Sequence, residues 1–309
     1  MTEVSERDVV VHNLALEGAL REMLTCLEAR GVPALVLKGV PLLRRLPRGL
    51  RTRLAIDNDL LVRRADVLTA YRALLDLGYL PHPHLRIESQ LEASSEYALF
   101  HPSGAIVDLH WNAFPPHLFF VPEEIQWSRS TVIEVGGTRA RVFDAPLTLL
   151  HLAAHFVQHG LSETRILKEL SSLWELWQHE LDARELAEVA RATGTLSALA
   201  YCARAARELG WLQAKVPEEL TQDRRAALLE RWVPPSSLEA PRPSSDYVRA
   251  VQSLLLADPR CLPTWLRRHF TPPLDNLAAV YDEPASATLR VRYFTRLFRP
   301  LAKRFGRLR

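Results

Sequence analysis

An α+β fold is predicted for this chain on three observations. Short apolar runs with strand character recur through the first 145 residues. Two pairs of them turn back on themselves, about Pro102-Ser103-Gly104 and about Gly136-Gly137, as hairpins do. From Pro146 onward the apolar spacing becomes helical. The 309 residues, 48% hydrophobic and 24% charged, suffice for a substantial core and two domains.

Residues 8–30 carry Val10, Leu14, Leu20, Leu24 and Leu27 near helical spacing and stop at Gly31 and Pro33. Ala34-Leu35-Val36-Leu37 then suits a buried strand, leading into Lys38-Gly39 and a short helix from Val40 to Arg45. A strand that ends in a glycine turn and opens a helix leaves backbone N–H groups free for an anion, and Lys38 adds a positive charge there. Ile56 to Val62 reads as a second strand. Its Asp57 and Asp59 stand two apart and so share a face, with Ile56, Leu60 and Val62 as anchors. Neighbouring carboxylates repel unless a cation lies between them, and hard oxygen ligands suit Mg²⁺. An isolated Asp-x-Asp serves equally to solvate an edge strand or turn.

Residues 64–77 are expected to be helical and to end at Gly78, whereas 81–95 show no clear period. The arms 96–101 and 105–111 form the first hairpin. Its second arm puts Ile106, Asp108 and His110 on one face and Val107, Leu109 and Trp111 on the other. Residues 131–143 form the second hairpin, and helices follow over 147–159, 163–178, 182–193 and 195–210. The Pro- and Ser-rich stretch 233–245 reads as a linker, and 289–309 as a basic amphipathic helix interrupted by Pro300.

His151, His155 and His159 fall at i, i+4 and i+8 of a helix and form one stripe. Two such histidines could bind zinc, but the catalytic Glu that follows the first His in helical zinc proteases is replaced by Leu152, and no third ligand is evident. The stripe is therefore read as structural or substrate-facing, with His155 turned toward the cleft. Trp174 and Trp177 read as core, not as a base-stacking platform.

The net charge of +3 hides an asymmetry: residues 290–309 hold seven Arg and one Lys with no acid, leaving 31 basic against 36 acidic side chains before them. A mildly acidic body excludes a general nucleic-acid binder, which needs a basic face on the folded domain. The basic tail reads as a solvated helix or as a contact for an anionic partner. No apolar run is long enough to span a membrane, no apolar signal core follows the acidic N-terminus, and Cys26, Cys202 and Cys261 form no metal or disulfide pattern. These features place the chain in the cytoplasm.

In order, Leu37-Lys38-Gly39, Arg53 with Asp57-Asn58-Asp59-Leu60-Leu61-Val62, Val107-Asp108-Leu109-His110-Trp111, and His155 resemble an uncharacterised nucleotidyltransferase family of the DNA polymerase beta-like superfamily. The resemblance covers residues 33–178. It implies a small mixed sheet with flanking helices, followed by a mainly helical C-terminal region. Residues 1–145 would be the catalytic domain, 146–232 a helical domain closing the cleft, and 233–309 the Pro-rich linker and basic tail. It also implies Mg²⁺ or Mn²⁺ held by Asp57, Asp59 and Asp108, all three catalytic, with a nucleoside triphosphate as co-substrate and a small molecule, sugar or peptide as acceptor. Lys38 and the Gly39 backbone would take the β- and γ-phosphates, and Arg53 a phosphate oxygen. His110 would orient Asp108 or touch substrate, and His155 would face the substrate.

The chain departs from that pattern at Val40 after Gly39, at Ile56 where the family commonly has Gly, and at Asn58 between the acids. Asn58 needs either a hydrogen bond or a strand open on both faces. An acid that the family carries in a later helix is matched here by Ser171. Two function classes follow: an active nucleotidyltransferase, or a silent module of the same shape that binds a nucleotide or a biosynthetic partner. Three mutually repelling carboxylates retained in one cleft favour the enzyme.

Overall fold

Residues 5–239 and 246–295 are described by the computed structural model. Helix α1, Glu6–Ala29, starts where the Ser5 hydroxyl accepts the Asp8 N–H, satisfying one of its free amide groups. Its buried stripe is Leu16, Leu20, Met23 and Leu27, while Leu14 is exposed. The stripe differs from the purely apolar one expected because Asn13 turns inward and is fully buried. The Asn13 amide donates to the carbonyls of Leu50 (2.8 Å) and Arg53 (2.7 Å) and accepts from the Ala55 N–H (2.8 Å). One polar side chain therefore ties down the loop that leads to Asp57.

The strands are β1 Ala34–Val36, β2 Asn58–Val62, β3 Leu80–Pro81, β4 Glu96–Phe100, β5 Ile106–His110, β6 Ser130–Val135 and β7 Thr138–Phe143. They form one mixed sheet in the order β3-β4-β5-β2-β1-β7-β6. The β2/β5 and β1/β7 pairs are parallel and the others antiparallel. Every residue of β2 is buried, as a central strand covered on both faces requires. This answers the question posed by Asn58: the strand is closed, and the Asn58 amide donates to the Leu16 carbonyl of α1 (3.1 Å). Both hairpins form, the second turning on Gly136 and Gly137 at φ 55° and 78°, the left-handed region that suits glycine.

Between the strands lie α2 Val40–Arg45, α3 Val67–Asp76, α4 Ile87–Ala93 and α5 Glu123–Ser128; the unpatterned 81–95 segment thus contains a short strand and a helix. The second half is helical: α6 Ala145–Gln158, α7 Thr164–Trp177, α8 Ala183–Ala192, α9 Leu196–Glu208, α10 Glu218–Thr221, α11 Arg224–Trp232, α12 Asp246–Leu256, α13 Leu262–Phe270 and α14 Leu274–Tyr281. Helix α6 is almost entirely buried and packs against α7, α9 and β7. A continuous apolar core runs from Leu16 on α1 to Trp265 on α13 and includes Trp174 and Trp177; Leu277, Ala278 and Leu289 form a satellite cluster. Of the expected linker, Pro235–Ser237 is a short 3₁₀ turn and Leu238 is buried. The rest of that stretch from 240 to 245, and the tail from 296, lie outside the described residues. Among the described residues no helix is long and apolar enough to cross a membrane.

Candidate active site

The parallel register of β2 and β5 sets Asp59 directly beside Asp108. On β5, Asp108 and His110 face the site, while Val107 and Leu109 are fully buried in the core behind it. The strand expected over 56–62 begins only at Asn58, so Asp57 sits on the last loop residue before it. Ile56 is 58% exposed and anchors nothing; the loop is held by Asn13 instead, and Ile56 lines the cavity. The β1–β2 ladder extends by one bond, Leu37 N–H to the Asp59 carbonyl (3.1 Å), and then turns at Lys38-Gly39.

Gly39 has φ 75°, and a Cβ on it would lie 2.9 Å from the Asp57 carbonyl oxygen. The position admits only glycine for two independent reasons, its backbone conformation and the close approach of the neighbouring loop. That turn opens α2.

Asp59 has no solvent exposure. Its Oδ1 meets Lys38 Nζ at 3.1 Å and His110 Nε2 at 3.0 Å, while its Oδ2 is buried without a partner. Burial opposes its ionisation, but Lys38 and the His110 hydrogen bond reverse this and hold the carboxyl well below the usual range. Lys38 also stands 4.0 Å from Asp57 Oδ2, and the acids raise its pKa against the effect of burial. Asp108 behaves oppositely: burial first, then the charge of Asp59, pushes its carboxyl up to about 7. Burial and Asp59 likewise raise Asp57. His110 Nδ1 lies 3.3 Å from Glu96 on β4, its register partner. Burial lowers the His110 pKa, yet the Asp59 bond and Glu96 raise it overall.

All eight residues singled out in the sequence, Lys38, Gly39, Arg53, Asp57, Asp59, Asp108, His110 and His155, line one cavity of about 250 Å³. The helical wall opposite brings His151, His155 and Gln158 of α6 and Glu169 of α7, with His159 just beyond α6. The His151 and His155 rings stack at 6.1 Å, and His159 meets His155 edge-on at 4.4 Å. Burial, then the charge of Lys38, keeps His151 and His155 neutral well below their usual range.

Arg53 is engaged by Glu169 in a two-pronged ion pair and donates to the Leu54 carbonyl (2.9 Å). Glu169 thus brings an acid of α7 to the cavity. Ser171, matched in the sequence to the family's helical acid, is buried and donates to the Leu167 carbonyl (2.8 Å). The sequence reading also passed over Glu96, Glu163 and Arg165, which line the cavity. Glu96 begins the hairpin strand opposite His110, so strand register was the signal that pointed to it.

Asp59, Asp108 and His110 each offer one ligand atom, and these atoms lie within 4.8 Å of one another. Two hard carboxylates, an imidazole and the unpartnered Asp59 Oδ2 fit a divalent cation. The geometry groups His110 with the carboxylates themselves and leaves Asp57 beside Lys38.

The sheet thus brings Asp59 beside Asp108 and next to the Lys38-Gly39 turn, with Asp57 on the loop that leads into β2. The chain belongs to the uncharacterised nucleotidyltransferase family, whose model matches residues 3–210. Among solved structures, an antigenic nucleotidyltransferase-like protein from Paracoccidioides brasiliensis is similar at 15% identity and a TM-score of 0.40, over 65% of this chain and 93% of that one. A comparison with curated proteins gives no match.

Proposed function

We propose that the chain transfers a nucleoside monophosphate from a nucleoside triphosphate to a hydroxyl or similar group on a small molecule, sugar or peptide, with Mg²⁺ or Mn²⁺ as cofactor. The observation that carries this reading is the crowding at Asp59 and Asp108: two adjacent carboxylates, the fully buried one held ionised and the half-buried one pushed toward neutrality, with the Asp59 Oδ2 left without a partner. Asp57, Asp59 and Asp108, with His110 at hand, would hold the metal, which supplies charge neutralisation for the triphosphate and its leaving group.

The chain's own groups account for the rest. Lys38, once released from Asp59, turns its ammonium toward the β- and γ-phosphates, and the N–H groups opening α2 receive phosphate oxygens. Arg53, fixed by Glu169, presents its guanidinium to the same anion. Asp108 takes the proton of the acceptor hydroxyl as the acceptor oxygen bonds to the α-phosphorus. The bond from that phosphorus to the bridging oxygen breaks, and pyrophosphate leaves. His110, held by Asp59 and Glu96, fixes the carboxylates, and His155 faces the substrate from the helical wall.

The test is incubation with each α-labelled nucleoside triphosphate and Mg²⁺ or Mn²⁺, with and without host lysate, beside an Asp57→Asn/Asp59→Asn control. Label transferred to a small molecule, a peptide or the chain itself, and lost in the control, supports the reading. No transfer together with no metal-dependent triphosphate binding by calorimetry sinks it.

A further inference from the structure

The active-site cavity shares Gln158, His159 and Glu163 with a second hollow of about 480 Å³. Its far wall comes from the C-terminal helices. Trp265, Arg268 and His269 of α13 face His117, which follows β5. Two hydrogen bonds seat this wall: Asp258 N–H donates to the Leu118 carbonyl (2.7 Å), and the Ser253 hydroxyl of α12 donates to the Val157 carbonyl of α6 (2.7 Å).

The hollow is lined by one acid, Glu163, and one base that is always charged, Arg268. The Glu163 carboxylate is already engaged by His159 Nδ1 (2.7 Å) and Arg165 (3.2 Å). Arg268 has no ion-pair partner among the described residues; the acid that acts on it is the more distant Glu96. Trp265 is 5% exposed, and its indole N–H is buried without an acceptor. The Nδ1 of His117 is buried and unpartnered as well. Burial above all, then the charges of Arg268 and His269, pushes the His117 ring down to about 2.

Polar groups left without a partner on the lining of a hollow are the groups that a bound ligand can complete. Lys38 and Gly39 do not line this hollow, so the charge of a triphosphate is met in the first cavity and the positive charge here is surplus to it. We propose that the hollow is the acceptor subsite and binds an anionic group of the acceptor, a carboxylate or a phosphate, with Arg268 as ionic anchor and the Trp265 indole as hydrogen-bond donor. The acceptor role rests on the nucleotidyltransferase reading of the adjoining cavity. The anion site itself stands on the hollow alone.

The experiment is isothermal titration of the full chain, free of metal and at low salt, with inorganic phosphate and separately with succinate. ATP with Mn²⁺ is then titrated into the same preparations. At least one anion binds the wild-type chain, about tenfold more weakly to Arg268→Gln and to Trp265→Phe, with partial recovery in Arg268→Lys. Asp57→Asn/Asp59→Asn leaves anion binding intact and removes ATP binding, whereas Arg268→Gln leaves ATP binding intact. Phosphate binding alone assigns a phosphorylated acceptor, and succinate binding alone a carboxylate-bearing one. The proposal is overturned if neither anion binds, if Arg268→Gln binds them as wild type does, or if Arg268→Gln weakens ATP as much as the anion. Anion binding without any metal-dependent ATP binding removes the acceptor role, because it is the nucleotidyl reading that then fails.

Discussion

One wall of the active-site cavity is sheet and the other is helix, and the two hold their polar groups by different means. On the sheet wall, Asp59 and Asp108 alternate with fully buried Leu60, Val107 and Leu109, so the core fixes each carboxylate through the pleat. Their direction follows from register alone. On the helical wall, His151, His155 and Glu169 are carried by α6 and α7, whose placement depends on packing against α9 and the sheet. The sheet concentrates negative charge that cannot relax, whereas the helices present groups held neutral or already paired, as His155 is by burial and Glu169 by Arg53. On the proposed reading, the metal falls to the sheet and the positioning of substrate to the helices.

That division is open to attack in order of expected effect. Asp59→Asn removes the carboxylate that meets Lys38, His110 and the proposed metal together, and should lower kcat by roughly 10³-fold or more. It should also destabilise the chain by about 3–5 kcal/mol, since Lys38 and His110 lose their buried counter-charge. Assay and denaturant unfolding of the same variant measure both, and a loss under tenfold would break the assignment.

The second test is the pH dependence of metal binding. Asp108, pushed up to about 7, and His110, raised above its usual range, must both lose protons before they can ligate. For both groups the folded pKa lies above the unfolded one. Their protonated forms therefore stabilise the metal-free fold at low pH; the Asp108 contribution is lost as pH rises from 3.8 to about 7, and that of His110 as pH rises above 6.5. Asp59 has the opposite sign, its contribution being lost only as pH falls below the ordinary carboxylate range. His151 and His155, with lowered pKa values, add stability as pH rises to about 6.5 and nothing further above it. Hence the rise in melting temperature produced by Mn²⁺ should be larger at pH 8 than at pH 6.5, and Asp108→Asn should flatten the difference. A metal effect independent of pH would contradict the environment derived for Asp108.

On the helical wall the effects should be smaller and of another kind. Glu169→Gln weakens the hold on Arg53 and should raise the KM for triphosphate about 10- to 100-fold, with kcat less affected. A loss in kcat equal to that of Asp59→Asn would erase the distinction between the walls. The smallest effect sets the floor of the scale: Arg184 and Glu188 form an exposed i, i+4 pair at 3.0 Å, and Arg184→Ala should change stability by at most about 0.5 kcal/mol in urea unfolding.

The strand part of this site was legible because the alternation in Asp59-Leu60 and in Asp108-Leu109-His110 is a local rule that survives folding, whereas Asp57 lies on the loop before β2. The edges of that part were less so. Ile56 read as an anchor because an apolar residue continued the strand pattern, yet the strand begins only at Asn58 and the loop before it is tied by Asn13. Glu169 carried no signal in the amino-acid order, because which turn of α7 reaches Arg53 is set by how α7 packs on α6.

The amino-acid order alone settled what depends on neighbours in the chain: two hairpins, the glycine turn after β1, the alternation of acids with core residues and the helical run from Pro146. Tertiary structure alone decided what depends on distant segments. It set the adjacency of Asp59 and Asp108 across a parallel pair, the capture of Lys38 by Asp59, the pairing of Arg53 with Glu169 and the meeting of His117 with α13. The physical reason is that pKa values and ion pairs follow distance and burial, and both are properties of the packed chain.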